Sequence, residues 1–254
     1  MGTPLLKLDN VTVSFSGFKA LNNLSFAVAG GGAKILIGPN GSGKTTLLDT
    51  ITGKVRPVSG RVIYKGKDIT NYPEHRIAQM GIRRKFQTPG VLGNLTVRNN
   101  LALAVRREKN LLYNLRPGLS AIEEKRVFEV LELIKLTEKT DRLAAELSHG
   151  EKQWLEIGMV VVGDPELILL DEPTAGMTSQ EVNETALLIK KLTEKQTVLV
   201  IDHDMSFVEK LEGTVSVLHM GSLIKEGDIQ TIRQDPEVIS VYLGRPREAL
   251  NARA

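Results

Sequence analysis

The sequence predicts an α/β protein with a mostly parallel sheet, antiparallel strands at its N-terminal end and a helical insert in its middle. Three observations predict it. Apolar alternation marks the first thirty residues, and a short apolar run then meets a glycine-rich turn and a helix at residues 33–53. After residue 147, short apolar runs alternate with helical stretches.

Leu6, Leu8, Val11, Val13 and Phe15 carry an interrupted period of two, and Leu24, Phe26 and Val28 repeat it, as half-buried antiparallel strands do. AKILIG (33–38) is a short apolar run. It leads into PNGSG and a helix-compatible KTTLLDTITG that Gly53 closes. Gly60–Thr70 reads as a strand with a turn. From about residue 96, LTVRNNLALAVRREKNLLYN and SAIEEKRVFEVLELIKL are helical, with Pro117-Gly118 between them. In the second, Val127, Val130, Leu131 and Ile134 share a face, and Ser120 with Glu123 makes a capping-box start. LILL, TVLVI and TVSVLH then alternate with helices such as SQEVNETALLIKKL. The expected organisation is one domain over residues 1–254. Its core comprises 1–87 and 148–254, and the helical insert is 88–147.

Of 254 residues, 41% are hydrophobic and 25% charged, which excludes wholesale disorder. A chain of this size buries roughly 70–75% of its unfolded surface and needs no covalent staple. The absence of cysteine excludes a disulfide framework, a thiolate zinc site, an iron–sulfur cluster and a cysteine nucleophile. A net charge of +3 neither demands nor excludes a polyanionic partner. No signal peptide is visible, Leu6 stands where myristoylation needs Ser or Thr, and no apolar run reaches the ~18 residues of a membrane span. The expectation is an intracellular chain whose membrane association is borrowed from a partner.

Gly38-Pro39-Asn40-Gly41-Ser42-Gly43-Lys44-Thr45, followed by Thr46, fits G-x-x-x-x-G-K-[ST] between a strand and a helix. Its glycines let backbone N–H groups turn inward around phosphate oxygens at a helix N-terminus. Lys44 adds a positive charge for the β- and γ-phosphates, and the Thr45 hydroxyl is a ligand for Mg²⁺. The chain is therefore expected to bind a nucleoside triphosphate. Leu167–Leu170 is an apolar strand that delivers Asp171 and Glu172 to the crevice where open α/β sheets bind ligands. Asp171 would hold Mg²⁺ through water, and Glu172 would polarise the attacking water.

With Leu147-Ser148-His149-Gly150-Glu151-Lys152-Gln153, Gln87, the DEP of Asp171–Pro173 and His203, nearly the whole chain resembles the ATP-binding-cassette (ABC) ATPases. The resemblance implies that Ser148 and the Gly150 amide reach the γ-phosphate of ATP held by a dimer partner. It makes Gln87 the lid glutamine that senses Mg²⁺ and the lytic water. His203 becomes the histidine that bonds the γ-phosphate, and Phe15 the ring that stacks on adenine. The family's signature usually reads LSGGQ. Here His149 and Glu151 replace a glycine and a glutamine, and Thr174-Ala175-Gly176-Met177 lacks the aspartate usual after DEP. Ser148-x-x-Glu151 also forms a capping box. Its carboxylate would face the γ-phosphate in a closed dimer, where repulsion is expected to outweigh the cap unless Lys152 or solvent screens it, so Glu151→Gln is expected to tighten ATP-driven dimerisation.

GIRRKFQTPGVLGNLTVRNNL, LSHGEKQWLEIGM, DEPTAGMT and VYLG are similar to the importer group for branched-chain amino acids, amides and urea. SHG-x-KQWLEIGM is most like one member of that group, the second ATP-binding subunit of urea importers. The resemblance implies an ATP-hydrolysing subunit using ATP and Mg²⁺. Its partners would be a second ATPase in a hetero- or homodimer, transmembrane permease subunits and, indirectly, a solute-binding protein. The expected location is cytoplasmic, peripheral on the inner face of the membrane through the permease. The alternative is a soluble single-cassette ATPase with a non-transport role, although long coiled-coil insertions and a second cassette are both missing. Arg83-Arg84-Lys85 and Arg106-Arg107 raise a nucleic-acid reading. With so small a net charge they are expected to be a solvated basic face, with no nucleic-acid partner.

Overall fold

The computed structural model describes residues 3–85, 90–106 and 118–243. The chain runs through β1 (Leu6–Phe15), β2 (Phe18–Val28), β3 (Gly32–Ile37), α1 (Lys44–Ile51), β4 (Ser59–Tyr64), β5 (Lys67–Asp68), α2 (Glu74–Gln79) and β6 (Ile82–Lys85). Helices α3 (Val97–Arg106), α4 (Ala121–Leu133) and α5 (His149–Val161) follow. The remainder is β7 (Leu167–Asp171), α6 (Ser179–Thr193), β8 (Thr197–Ile201), α7 (Met205–Lys210), β9 (Thr214–His219), β10 (Ser222–Gly227), α8 (Ile229–Gln234) and α9 (Pro236–Leu243).

β1, β2, β4 and β5 form an antiparallel sheet in the order β2-β1-β4-β5. The interruption in the β1 pattern is a bulge. The register shifts between Leu8 and Val11, where Asn10 takes φ 51°, so the apolar side chains on both sides of it stay buried. Ser16 and Gly17, at φ 48° and 90°, make the tight turn that pairs Phe15 with Phe18.

The second sheet runs β10-β9-β3-β8-β7-β6 and is parallel except for β10. β7 and β8 are buried along their whole length, which is why they read as unbroken apolar runs rather than alternation. One face packs Leu36, Leu169, Leu199 and Ile201 against Leu47, Leu48 and Ile51 of α1 and the antiparallel sheet. The other packs Ile35, Ile168, Leu170 and Val200 against α5 and α6, and this core continues into α3 and α4. Val127, Val130, Leu131 and Ile134 are all buried there, and Ser120 caps α4 with Glu123. Gly158 lets the insert close onto α5: a Cβ there would lie 2.8 Å from Ile134 Cδ1 and 3.2 Å from Leu101 Cδ2. Truncating Leu131 to alanine in such a core costs about 2–5 kcal/mol.

β3, β7 and β8 lie side by side and parallel, so the loops that leave them open at one edge of the sheet. Those loops carry the phosphate-loop residues, Asp171-Glu172 and Asp202-His203. Among the described residues, no helix is long and apolar enough to cross a membrane.

The basic face expected at Arg83–Lys85 is not a solvated one. Arg84 and Lys85 are buried, on opposite faces of the edge strand β6, and both are ion-paired. Lys85 pairs with Glu156 of α5 at 3.3 Å. A charged side chain on a strand whose faces are both covered has to find a counter-ion, and each of these does. Gln87, Arg107, the side chain of Arg106 and the helical reading of residues 107–114 fall outside the described residues.

Candidate active site

The phosphate loop is held by close backbone contacts. A Cβ at Gly38 would lie 2.2 Å from the Leu218 carbonyl oxygen of β9. Gly43 takes φ 109° as the N-cap of α1, and a Cβ there would lie 2.5 Å from the Ala20 carbonyl oxygen. The first backbone bond of α1 runs from Leu47 N–H to Gly43 O, 2.9 Å. The amides of Lys44, Thr45 and Thr46 therefore have no intrahelical partner and concentrate positive potential at the helix start. Beneath them, Ser42 Oγ is buried without a hydrogen-bond partner among the described residues. Lys44 Nζ donates to the Gly38 and Pro39 carbonyls at 2.8 and 2.9 Å. Burial pushes its ammonium pKa down, against the pull of Glu172 and Asp171.

A cavity of about 380 Å³ opens over this loop, within the range of small-molecule sites. Asn40, Gly41, Gly43 and Lys44–Thr46 form one side, Asp171 and Glu172 another, and Phe15 and Phe18 the rim. The two rings are 48% and 68% exposed, which leaves their faces free to stack on a planar ligand. Phe18 was not foreseen. Its signal was the Ser16-Gly17 pair, a tight-turn dipeptide that puts Phe18 directly across from Phe15.

Asp171 closes β7 with its side chain 2% exposed. Arg84 Nη2 donates to Asp171 Oδ2 at 3.0 Å. Burial pushes the Asp171 carboxyl up, and Arg84 opposes that shift. Glu172 adopts φ 46°, and its N–H bonds the Ile201 carbonyl of β8 at 2.8 Å. This fixes the backbone while the carboxylate faces the cavity. His203 Nδ1 lies 3.3 Å from Glu172 Oε1, so the acid–histidine contact comes from adjacent strand ends.

Asp202, which sequence reasoning missed, holds that corner. Its carboxylate accepts from His203 N–H at 2.7 Å, Asp204 N–H at 3.0 Å and Thr174 Oγ1 at 3.0 Å. Burial pushes its carboxyl up, against those hydrogen bonds. An acid at the end of the apolar β8 repeats the pattern of Asp171 after β7, and that was its signal.

The donor set fits a hard divalent cation. The Thr45 hydroxyl and the Asp171 carboxylate share one cavity, and both are oxygen donors. Among the described residues no cluster of three or more His, Cys, Asp or Glu forms a cage. The Thr45 and Asp171 oxygens suit Mg²⁺, which typically takes one or two side chains and completes its shell with water and substrate phosphates.

The Ser148 turn lies apart, outside the described lining of the cavity. Ser148 Oγ accepts Glu151 N–H at 3.2 Å, and Glu151 Oε2 accepts Ser148 N–H at 3.0 Å, completing the expected capping box. The screening cation is not Lys152, which donates to the Ala145 carbonyl at 2.9 Å. It is Lys139, whose ammonium pairs with Glu151 Oε1. Burial pushes the Glu151 carboxyl up, but Lys139 and the Ser148 amide outweigh it and hold it below the usual range.

The two departures from the family pattern touch each other. His149 Nε2 lies 3.0 Å from the Ala175 carbonyl oxygen, and a Cβ at Gly176, φ 74°, would lie 3.0 Å from the same nitrogen. Trp154 Nε1 donates to Thr185 Oγ1 at 2.9 Å, which lies 3.2 Å from Met177 Sδ. Thus α5 is tied to the loop after Glu172 within one chain.

A phosphate loop at a helix start, sharing a cavity with two carboxylates of which one meets a histidine from the neighbouring parallel strand, is the architecture of a P-loop nucleoside triphosphatase. The family model described as "ABC transporter" matches residues 21–175. A probable branched-chain amino acid transport ATP-binding protein, LivG, from Archaeoglobus fulgidus is 36% identical over 247 residues, spanning 94% of this chain and 95% of that protein. The ADP conformation of MJ1267, an ATP-binding cassette of an ABC transporter, superposes with a TM-score of 0.85 at 33% identity, over 96% of this chain and 100% of that one. A dimeric post-hydrolysis state of the cassette MJ0796, bound to ADP and Pi, gives a TM-score of 0.74 at 27% identity, over 88% and 98%. This chain belongs to the ABC transporter family: it is an ABC ATPase with the P-loop cassette fold.

Proposed function

We propose that this protein is the ATPase subunit of a membrane importer for a small polar solute of the branched-chain amino acid, amide and urea group, with urea as its cargo. The observation that carries the ATPase part is the cavity in which the α1 start, Asp171 and Glu172 converge, with His203 3.3 Å from the Glu172 carboxylate. In this reading the open α1 amides, Lys44 and the loop Gly38–Gly43 hold the phosphates, and Phe15 and Phe18 stack on the base. Glu172 orients and deprotonates the attacking water, and His203 bonds the γ-phosphate while holding Glu172 in register. Mg²⁺, when bound, neutralises phosphate charge; Thr45 and Asp171 would hold it, with Gln87 as a further oxygen ligand.

Ser148 and Gly150 serve a nucleotide held by a second ATPase subunit, because they lie outside this chain's own cavity. Closure of the pair around ATP and its release on hydrolysis would be passed to transmembrane permease subunits. These would hold the protein peripherally on the cytoplasmic face of the membrane, with a solute-binding protein delivering cargo from the other side. The cargo reading rests on the relatives named for branched-chain amino acid transport and, for urea, on the SHGEKQWLEIGM stretch. Both importers would share this ATPase chemistry, so the test is reconstitution with the copurifying permease in vesicles. Uptake of labelled urea but not leucine on ATP addition supports urea; leucine uptake alone replaces it with the branched-chain reading.

A further inference from the structure

Arg84 belongs to neither the phosphate loop nor the acid pair, yet it touches the elements that carry both. It lies on β6 with Leu169 of β7 as its ladder partner, and its side chain is 4% exposed. Nη1 pairs with Asp49 of α1, while Nη2 donates to Asp171 Oδ2 at 3.0 Å. Asp49 stands one helical turn beyond Thr45, so the two share a face of α1.

We propose that Arg84 is a positioning residue whose fork fixes the spacing between Thr45 and Asp171, the two oxygen donors that suit a divalent cation. The inference rests on that metal assignment. Helix α1 follows β3, and β3 is separated from β7 by β8. The ladders reach from β3 to β7 only through β8 and do not include the α1 face, and the Arg84 fork spans directly from that face to the end of β7. Arginine suits the task because its guanidinium offers two parallel arms in one plane, whereas lysine offers a point charge that cannot hold both carboxylates in a fixed relation. The bond to Asp171 uses Oδ2, so among the described residues Oδ1 is the oxygen that would meet the cation or its water. The same contact compensates a buried carboxylate before a cation arrives, so the donor stays in place.

The experiment titrates Mn²⁺ by electron paramagnetic resonance into the full-length protein saturated with a non-hydrolysable ATP analogue. Nucleotide affinity in EDTA is measured alongside. Arg84→Lys keeps the charge and avoids stranding two acids. Asp49→Asn keeps Arg84 and its bond to Asp171 and removes only the anchor on α1. Both are expected to weaken Mn²⁺ binding about tenfold while metal-free nucleotide affinity stays within about twofold. Lys54→Ala, which removes the other cation beside Asp49 at 3.6 Å, should change neither. Unchanged Mn²⁺ affinity in both Arg84→Lys and Asp49→Asn overturns the proposal. So does a metal-free nucleotide affinity that falls in step, because a general packing role would move both. Asp171→Asn separates the two layers. If it weakens Mn²⁺ while the Arg84 and Asp49 variants do not, the spacing role is wrong and the metal assignment stands. If it leaves Mn²⁺ binding intact, the metal assignment fails and this inference with it.

Discussion

The turns that start α1 and α5 both contain glycine and both are assigned to phosphate, yet they are built in opposite ways. Gly43 caps α1 without a side chain, and no acid stands in its first turn. Ser148 caps α5 with a complete capping box, and Glu151 occupies its third position. A side-chain cap is worth about 0.5–2 kcal/mol, so α1 forgoes that stabilisation and leaves its amides for a ligand. Helix α5 keeps it, and two of its groups are spent inside the chain before any ligand arrives. The lesson is that the α1 turn is a binding site in its own right. The α5 turn is a self-sufficient helix start, and under the proposed function it would add a hydroxyl and a few amides to a nucleotide site on a second subunit.

The largest expected effect lies between the two turns. Glu172→Gln should keep ATP binding and lower turnover at least ~100-fold, measured as phosphate release with the partner subunit present. Near-normal hydrolysis would break the assignment of Glu172 as base. Lys44→Ala probes the α1 side: losing a charged donor at the phosphates should weaken ATP affinity about 10- to 100-fold in a fluorescent-nucleotide titration. A loss below about threefold would mean that the open amides do most of the binding alone.

Ser148→Ala sharpens the contrast, because it should cost about 1 kcal/mol in thermal or denaturant unfolding yet leave ATP affinity of the isolated chain unchanged. A parallel loss of affinity would place the α5 turn in this chain's own site.

The smallest effect concerns Glu151. Because Lys139 already neutralises it, Glu151→Gln should not tighten ATP-driven dimerisation, and should destabilise the fold by about 0.5 kcal/mol at neutral pH. Its folded pKa is depressed, so that stabilisation is present above the ordinary glutamate range. It is lost as pH falls, beginning near about pH 5, where the unfolded chain starts to bind the proton. Melting curves of the two proteins should therefore converge on acidification; a gap that widens would assign the effect to some other group.

Much of the fold was legible because its signals are local. The β1 and β2 alternation, the apolar runs of β7 and β8 and the capping boxes at Ser120 and Ser148 all lie within a few residues of themselves. β10 was not read, since SLIKEG has little alternation and becomes a strand through its pairing with β9. The third capping box, Thr178 with Glu181, carried the same signal as the other two and went unread.

The sequence by itself determined the phosphate loop, since glycines, Lys44 and Thr45 are consecutive on one strand–turn–helix and their geometry follows from local dihedrals. It also determined that Asp171 and Glu172 end a buried strand. Only the tertiary structure decided that Arg84 bridges Asp49 and Asp171, that Asp202 holds His203 and Thr174, that His149 meets Ala175 and that Lys139 answers Glu151. Those pairs depend on which strands become neighbours. In a sheet ordered β3-β8-β7-β6, neighbours in space are distant in sequence, so their contacts are set by burial and charge compensation rather than by spacing along the chain.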